Sequence, residues 1–239
     1  MSVKQKVPSS SDTAELQAAI TPAGSLAERY ARMAHEGFER RAVDPALRTL
    51  DVLIAGTLLV ATSPIMAVAA LAIYADSGKP ALYRGRRVGR AGRIFTMLKF
   101  RTLELDAESR LGPYLGAQLT DLTNAEVTRV GRWLRRTHVD ELPQLWNVVR
   151  GDMSLVGPRP IRPRFFEELC EQIPQYWQRL VVRPGMTGLA QIRIEREMTW
   201  SEKLAHDFEF IADRSLGLYL SVIAETVARV IRRIAGGAD

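Results

Sequence analysis

From Val52 to Ala75 the chain reads VLIAGTLLVATSPIMAVAALAIYA, 24 residues without a charge. A helix rises roughly 1.5 Å per residue, so this run is long enough to cross a bilayer core of about 30 Å. Ser63-Pro64 interrupts its middle. Proline lacks a backbone donor and its ring clashes with the preceding turn, so a break or kink is expected there. Each half alone spans only roughly 18 Å, too short to cross. Arg40, Arg41 and Arg48 precede the run, and Lys79, Arg84, Arg86, Arg87, Arg90 and Arg93 follow it. The positive-inside rule places both ends on the cytoplasmic side. A re-entrant helix-break-helix satisfies both ends; a straight span and a buried soluble helix are the other two readings. If the helix is broken, Thr62 and Ser63 are the side chains placed to satisfy freed backbone groups.

The remainder is an ordinary folded chain. Of 239 residues, 46% are hydrophobic and 25% charged, which fits one domain with or without an extension. A net charge of +6 and a pI near 9.8 point to anionic partners. Cys170 is the one cysteine, so no internal disulfide forms, and three histidines give no zinc-ligand spacing. The polar first forty residues carry no recognisable signal peptide. Residues 1–45 read as a partly disordered N-terminal extension, with a polar helix at 25–41.

After the apolar run, short β-type stretches lie around glycines between residues 81 and 102, which predicts a small hairpin or two. Helices are expected over 122–136, with Val127, Val130, Trp133 and Leu134 on one face, and over 163–180. Pro143 falls early in another helix, where proline is tolerated. Arg183 to Gly188 reads as a loop. Leu216 to Ile234 is amphipathic and fits either a membrane surface or the core. The fold class is α+β, mostly helical, with a small antiparallel β-hairpin element.

The chemistry gathers around Asp140-Glu141. Arg132, Arg135 and Arg136 precede this pair; Arg150 and Arg159 follow it. Adjacent carboxylates in a basic field suit anionic reactants and a divalent metal. One can hold Mg²⁺ through oxygen and the other can attack phosphorus. Arg159 stands between Pro158 and Pro160, which hold the backbone extended, so its guanidinium can fork onto a phosphate. Lys99 and Arg101 stand beside Thr102 at a strand end. Arg183-Pro184-Gly185 begins a second rigid basic turn, whose glycines permit close backbone approach to a ligand.

In this order, these residues resemble the bacterial sugar transferases, the monotopic phosphoglycosyl transferases. The resemblance runs through Arg48-x-x-Asp51, Ser63-Pro64, Phe95 to Thr102, Asp106-Ala107-Glu108, Asp140 to Leu145 with Asn147, Gly151 to Pro160, and Arg183 to Gly188. It covers about residues 46 to 236 and makes 46–239 a catalytic domain containing a re-entrant membrane helix, 49–75. It implies transfer of a sugar-1-phosphate from a UDP-sugar to polyprenyl (undecaprenyl) phosphate, with UMP released, as the first membrane step of exopolysaccharide or lipopolysaccharide assembly. Asp140 would be the nucleophile, forming a phosphosugar-aspartyl ester, and Glu141 the Mg²⁺ ligand. Arg159 and Arg135, with Lys99, Arg101 and Arg183, would bind substrate phosphate. The cytoplasmic face of the inner membrane is the implied location, with membrane lipid as a partner and a homodimer as an open expectation. A metal and arginines beside Asp140 are expected to keep it ionised at neutral pH.

The chain departs from the family pattern in three places. Leu189 stands where a tryptophan is usual, Arg193-Ile194-Glu195-Arg196 replaces Asn-Gly-Arg-Asn, and Ser215-Leu216-Gly217-Leu218-Tyr219 replaces Ser-Leu-Trp-Leu-Asp. Residues 189–197 are accordingly expected to help set sugar choice. Two rival classes are disfavoured. A non-catalytic lipid-binding module needs no adjacent carboxylates, and a nucleic-acid binder is suggested by pI alone and lacks a recognisable fold.

Overall fold

A computed structural model describes residues 41–105, 107, 125–193 and 198–235. The N-terminal extension with its expected helix, Asp106, Glu108 and Ile194 to Arg196 lie outside the described residues.

Helix α1, Asp44–Ser77, contains the whole apolar run. It starts five residues earlier than expected because Pro45 suits a first turn and Asp44 accepts from the Arg41 backbone at 2.9 Å. It ends at Gly78, whose φ of 76° disfavours any residue with a Cβ. Helix continues on both sides of Pro64, so the expected break shrinks to one missing hydrogen bond. The bond lost is the one to the Val60 carbonyl, four residues back, and the Ser63 hydroxyl donates to that oxygen at 2.7 Å. Thr62 donates to Leu58 O at 2.7 Å.

The helix is buried only towards its ends. Leu47, Asp51 and Ala55 are buried at one end, Ala69 and Ile73 at the other, while Leu58, Val60, Ile65 and Val68 between them are exposed. That exposure removes the buried soluble helix from the three readings. Among the described residues this is the one helix long and apolar enough to cross a membrane, by length and composition.

The expected hairpin is present. Strands β1, Leu82–Val88, and β2, Ile94–Phe100, pair antiparallel with Leu82 opposite Phe100. Helix α2 covers Arg129–Thr137; of the helix expected over 122–136, residues 122–124 lie outside the described residues and 126–128 are not helical. Its start is set by Thr128, whose hydroxyl accepts from Gly131 N at 2.9 Å. Val127 is therefore outside the helix, bridged to Leu103, and Trp133 is exposed while Leu134 is buried. A 3-10 turn, Val139–Glu141, leads into α3, Gln144–Arg150.

A second sheet was not anticipated. Strand β3, Ser154–Val156, pairs in parallel with β4, Gly185–Thr187, inside the segment expected as a loop. The glycines there serve chain-to-chain contact: a Cβ on Gly185 would stand 2.1 Å from Gly157 N. Between the strands lie α4, Pro163–Gln172, and a 3-10 segment, Tyr176–Val181. The helix expected to reach 180 stops early, because Pro174 follows too closely to continue it. Helices α5, Leu189–Ile192, α6, Trp200–Asp213, and α7, Leu216–Ala235, complete the fold.

Asp51 ties these pieces together. Its Oδ1 accepts from Tyr219 OH at 2.6 Å, Leu155 N at 2.7 Å and Ser154 Oγ at 2.9 Å, joining α1 to α7 and β3. Arg48, one turn earlier, donates to Val148 O at 2.7 Å and Val149 O at 2.9 Å, in the last turn of α3. Both side chains belong to the Arg48-x-x-Asp51 motif. Replacing Tyr219 by Phe removes one hydrogen bond to a buried carboxylate. A loss of roughly 4–10 °C in melting temperature is expected in detergent; an unchanged melt would show that Asp51 does not need this donor.

Candidate active site

An open cleft of about 1170 Å³ contains Asp140 and Glu141. The turn that presents them depends on His138, which takes a left-handed φ of 57° and stops α2, so that the chain re-enters as the 3-10 turn. Lys99 near the end of β2 and Arg101, just past it, also line the cleft. Asn147 joins β2 to α3. It donates to Thr96 O at 2.8 Å and accepts from Leu98 N at 2.9 Å, acting as a neighbour for β2 from within α3.

The two carboxylates differ in their surroundings. Glu141 is bound to Lys99 Nζ at 2.6 Å. Asp140 is buried, at 9% exposure, and no hydrogen bond or ion pair holds its carboxylate among the described residues. Burial raises the Asp140 pKa above the ordinary 3.8, and the Glu141 charge adds to this against the pull of Lys99, His138 and Arg135. Among the protein's own groups, the cations lower this pKa without outweighing burial. Glu141 goes the other way. Burial pushes it up, but the Lys99 charge and hydrogen bond, then Arg159 and His138, hold it below 4.5.

Five of the expected phosphate ligands divide four to one. Lys99, Arg101, Arg135 and Arg159 all line the cleft. Arg135 Nε donates to Thr102 Oγ1 at 2.9 Å. Arg101 Nη2 is committed to the end of α1, donating to Ser77 O at 2.9 Å and Gly78 O at 2.7 Å. Arg183 stands apart in a smaller cavity with Arg48 and Asp51, its Nε donating to Gly151 O at 3.0 Å. Ser63 and Pro64 lie on α1 outside the cleft lining. Sequence reasoning missed Arg84, His138 and Arg162 in the lining. Arg162, two residues past Pro160, carried a signal in its spacing; Arg84 becomes visible only once β1 is paired with β2.

Among the described residues no three His, Cys, Asp or Glu side chains gather as a metal site. Mg²⁺ does not require one, since it keeps several waters and binds one or two carboxylates plus substrate phosphates. Asp140 and Glu141 in the cleft suit such an ion arriving with a diphosphate, provided Lys99 yields part of its hold on Glu141.

Comparison with known proteins gives one consistent result. The sequence model described as bacterial sugar transferase matches residues 43–233. A UDP-glucose:undecaprenyl-phosphate glucose-1-phosphate transferase of Caulobacter vibrioides is 42% identical over 198 residues, covering 80% of this chain and 72% of that protein. An undecaprenyl-phosphate glucose phosphotransferase of Komagataeibacter xylinus is 40% identical over 77% of this chain and 35% of its own length. The exopolysaccharide production protein PSS of Rhizobium leguminosarum bv. phaseoli is 36% identical over 78% of this chain and 95% of its own length. The chain thus spans most of some relatives and about a third of the Komagataeibacter protein.

Because folding lowers the Glu141 pKa, its ionised form favours the folded state above 4.5, and that contribution disappears as pH falls through the lowered value. Glu141→Gln should melt below the wild type at pH 7, with the gap narrowing below about pH 4.5. A gap constant between pH 7 and 3 would contradict the Lys99–Glu141 assignment.

Proposed function

Since the chain belongs to the bacterial sugar transferase family, we propose that it moves a sugar-1-phosphate from a UDP-sugar to polyprenyl phosphate at the cytoplasmic face of the inner membrane. The carrying observation is the asymmetry of the dyad: Glu141 is anchored by Lys99, whereas Asp140 faces the cleft with its carboxylate unengaged. An unengaged carboxylate is the one able to attack.

An Asp140 oxygen attacks the β-phosphorus of the donor. The bond from that phosphorus to the bridging oxygen breaks, and UMP leaves with the bridging oxygen. A phosphate oxygen of the polyprenyl acceptor then attacks the same phosphorus, forming the polyprenyl diphosphate sugar and returning Asp140 as a carboxylate. Covalent exchange lets a soluble donor and a membrane-bound acceptor use one site in turn. Arg159, Arg135 and Lys99 place positive charge where phosphoryl oxygens gain negative charge. Glu141 is the residue that would hold Mg²⁺, which when bound neutralises phosphate charge. Exopolysaccharide or lipopolysaccharide assembly would begin with this product.

In this reading α1 enters and leaves by one leaflet. Support comes from its two ends, which are tied to the same polar body: Arg48 reaches α3, and Arg101, just after β2, reaches Ser77 and Gly78. A straight span would separate those attachments across the membrane.

Three experiments decide. Detergent-solubilised protein with Mg²⁺, polyprenyl phosphate and a panel of UDP-sugars should release UMP with one donor, and should not with Asp140→Asn or without Mg²⁺. With donor alone, intact-mass measurement should find the wild type heavier by one sugar phosphate; release without that adduct would exclude the aspartyl ester. For topology, cysteines placed at exposed Arg41 and Lys79, with Cys170 replaced by serine, should both react with an impermeant maleimide from the cytoplasmic side only. Reaction from opposite sides would establish a straight span.

A further inference from the structure

Arg159 is exposed in the cleft, yet it is held from behind by residues that do not line it. Its carbonyl accepts from Arg179 Nη2 at 2.9 Å. The same Nη2 lies 2.8 Å from Asp207 Oδ2, and Arg179 Nη1 donates to Tyr176 OH at 2.6 Å. Arg179 and Asp207 are each 6% exposed. At the other end of the side chain, Arg159 Nη1 donates to Gln191 Oε1 at 3.2 Å. One anchor therefore fixes the backbone of Arg159 and the second its guanidinium.

Stability alone explains this arrangement poorly. A buried ion pair loses its hydration, and apolar replacements of similar volume are often as stable or more so. Here the cost is raised further, because Arg179 Nε and Gln191 Nε2 are buried with no partner. What the arrangement does provide is orientation. A free arginine side chain carries rotamer entropy, part of which a phosphate ligand must otherwise overcome.

We propose that the buried Arg179–Asp207 pair and Gln191 are positioning residues that hold Arg159 ready for the phosphate of the uridine nucleotide. The proposal rests on the reading of Arg159 as a phosphate ligand. It joins α6, α5 and the 3-10 segment, none of which carries a residue of the dyad, to the strength of nucleotide binding.

The test is a pair of double-mutant cycles on the full chain in detergent. Gln191→Met and Asp207→Asn are each made in the wild type and in Arg159→Ala. UMP affinity is read by calorimetry, KM and kcat by UMP release, and folding by thermal melt. Each single substitution should weaken UMP binding roughly 3- to 30-fold, and neither should weaken it further once Arg159 is alanine. Gln191→Met, on a partly exposed side chain, should keep the wild-type melt, which makes it decisive even if Asp207→Asn folds poorly. Equal losses in both backgrounds, or unchanged affinity in folded Gln191→Met, overturn the proposal. Arg159→Ala with wild-type UMP affinity, or a wild type that does not bind UMP, overturns both it and the phosphate role of Arg159. A wild type that binds UMP but turns over no donor refutes the reaction alone, and the affinity cycles still decide positioning.

Discussion

A carboxylate at the foot of an apolar helix is the interaction on which this structure rests. Asp51 lies on α1 at 2% exposure, where an unsatisfied charge would be severely penalised. Its partners come from α7 and β3, more than a hundred residues later in the chain. The seating of the helix therefore depends on those elements. At its other end Ser77 and Gly78 expose the carbonyls that close any helix, and Arg101 supplies donors to both. Lys99 stands two positions before Arg101, at the end of β2, so this short stretch connects the end of the apolar helix to the dyad. A shift of α1 would thus be transmitted to the cation that holds Glu141.

Within the cleft, the pKa values of two neighbouring carboxylates are shifted in opposite directions. Lys99 takes one and leaves the other to burial. The mutual repulsion of the pair also appears in the Asp140 pKa, where Glu141 acts in the same direction as burial. In the proposed reaction, attack on phosphorus would disperse the Asp140 charge over the phosphoryl oxygens. The surrounding arginines are then best placed when rigid, which is what the prolines beside Arg159 and the contacts behind it provide.

Elements written in local sequence were legible: the apolar helix, the hairpin, the dyad and the Arg159 turn each announce themselves within a few residues. Others depend on distant partners. The β3–β4 pair joins two three-residue strands whose glycines signalled close approach, and the partner proved to be the other loop rather than a ligand. Arg183 looked equivalent to Arg159, since both adjoin proline in a basic turn, but it lines the smaller cavity with Arg48 and Asp51, two residues before β4. The start of α2 was misjudged because apolar periodicity continued through Val127, whereas the cap at Thr128 decided the boundary. Arg179 and Asp207 are 28 positions apart and carry no local signal as a pair.

The departures from the family pattern divide in a similar way. Leu189 is 3% exposed and Tyr219 fully buried, both within the core around Val148 and Val222, so these two changes are matters of packing. At position 219 the resembled pattern carries aspartate. A second carboxylate beside Asp51 would need a cation between them, whereas a phenol simply donates its proton to the first. Arg193 pairs with Glu209 on α6 and does not line the cleft. Of the described positions from 189 to 193, Gln191 is the one bonded to a cleft residue. From these described positions, the contact with the cleft runs through the guanidinium of Arg159.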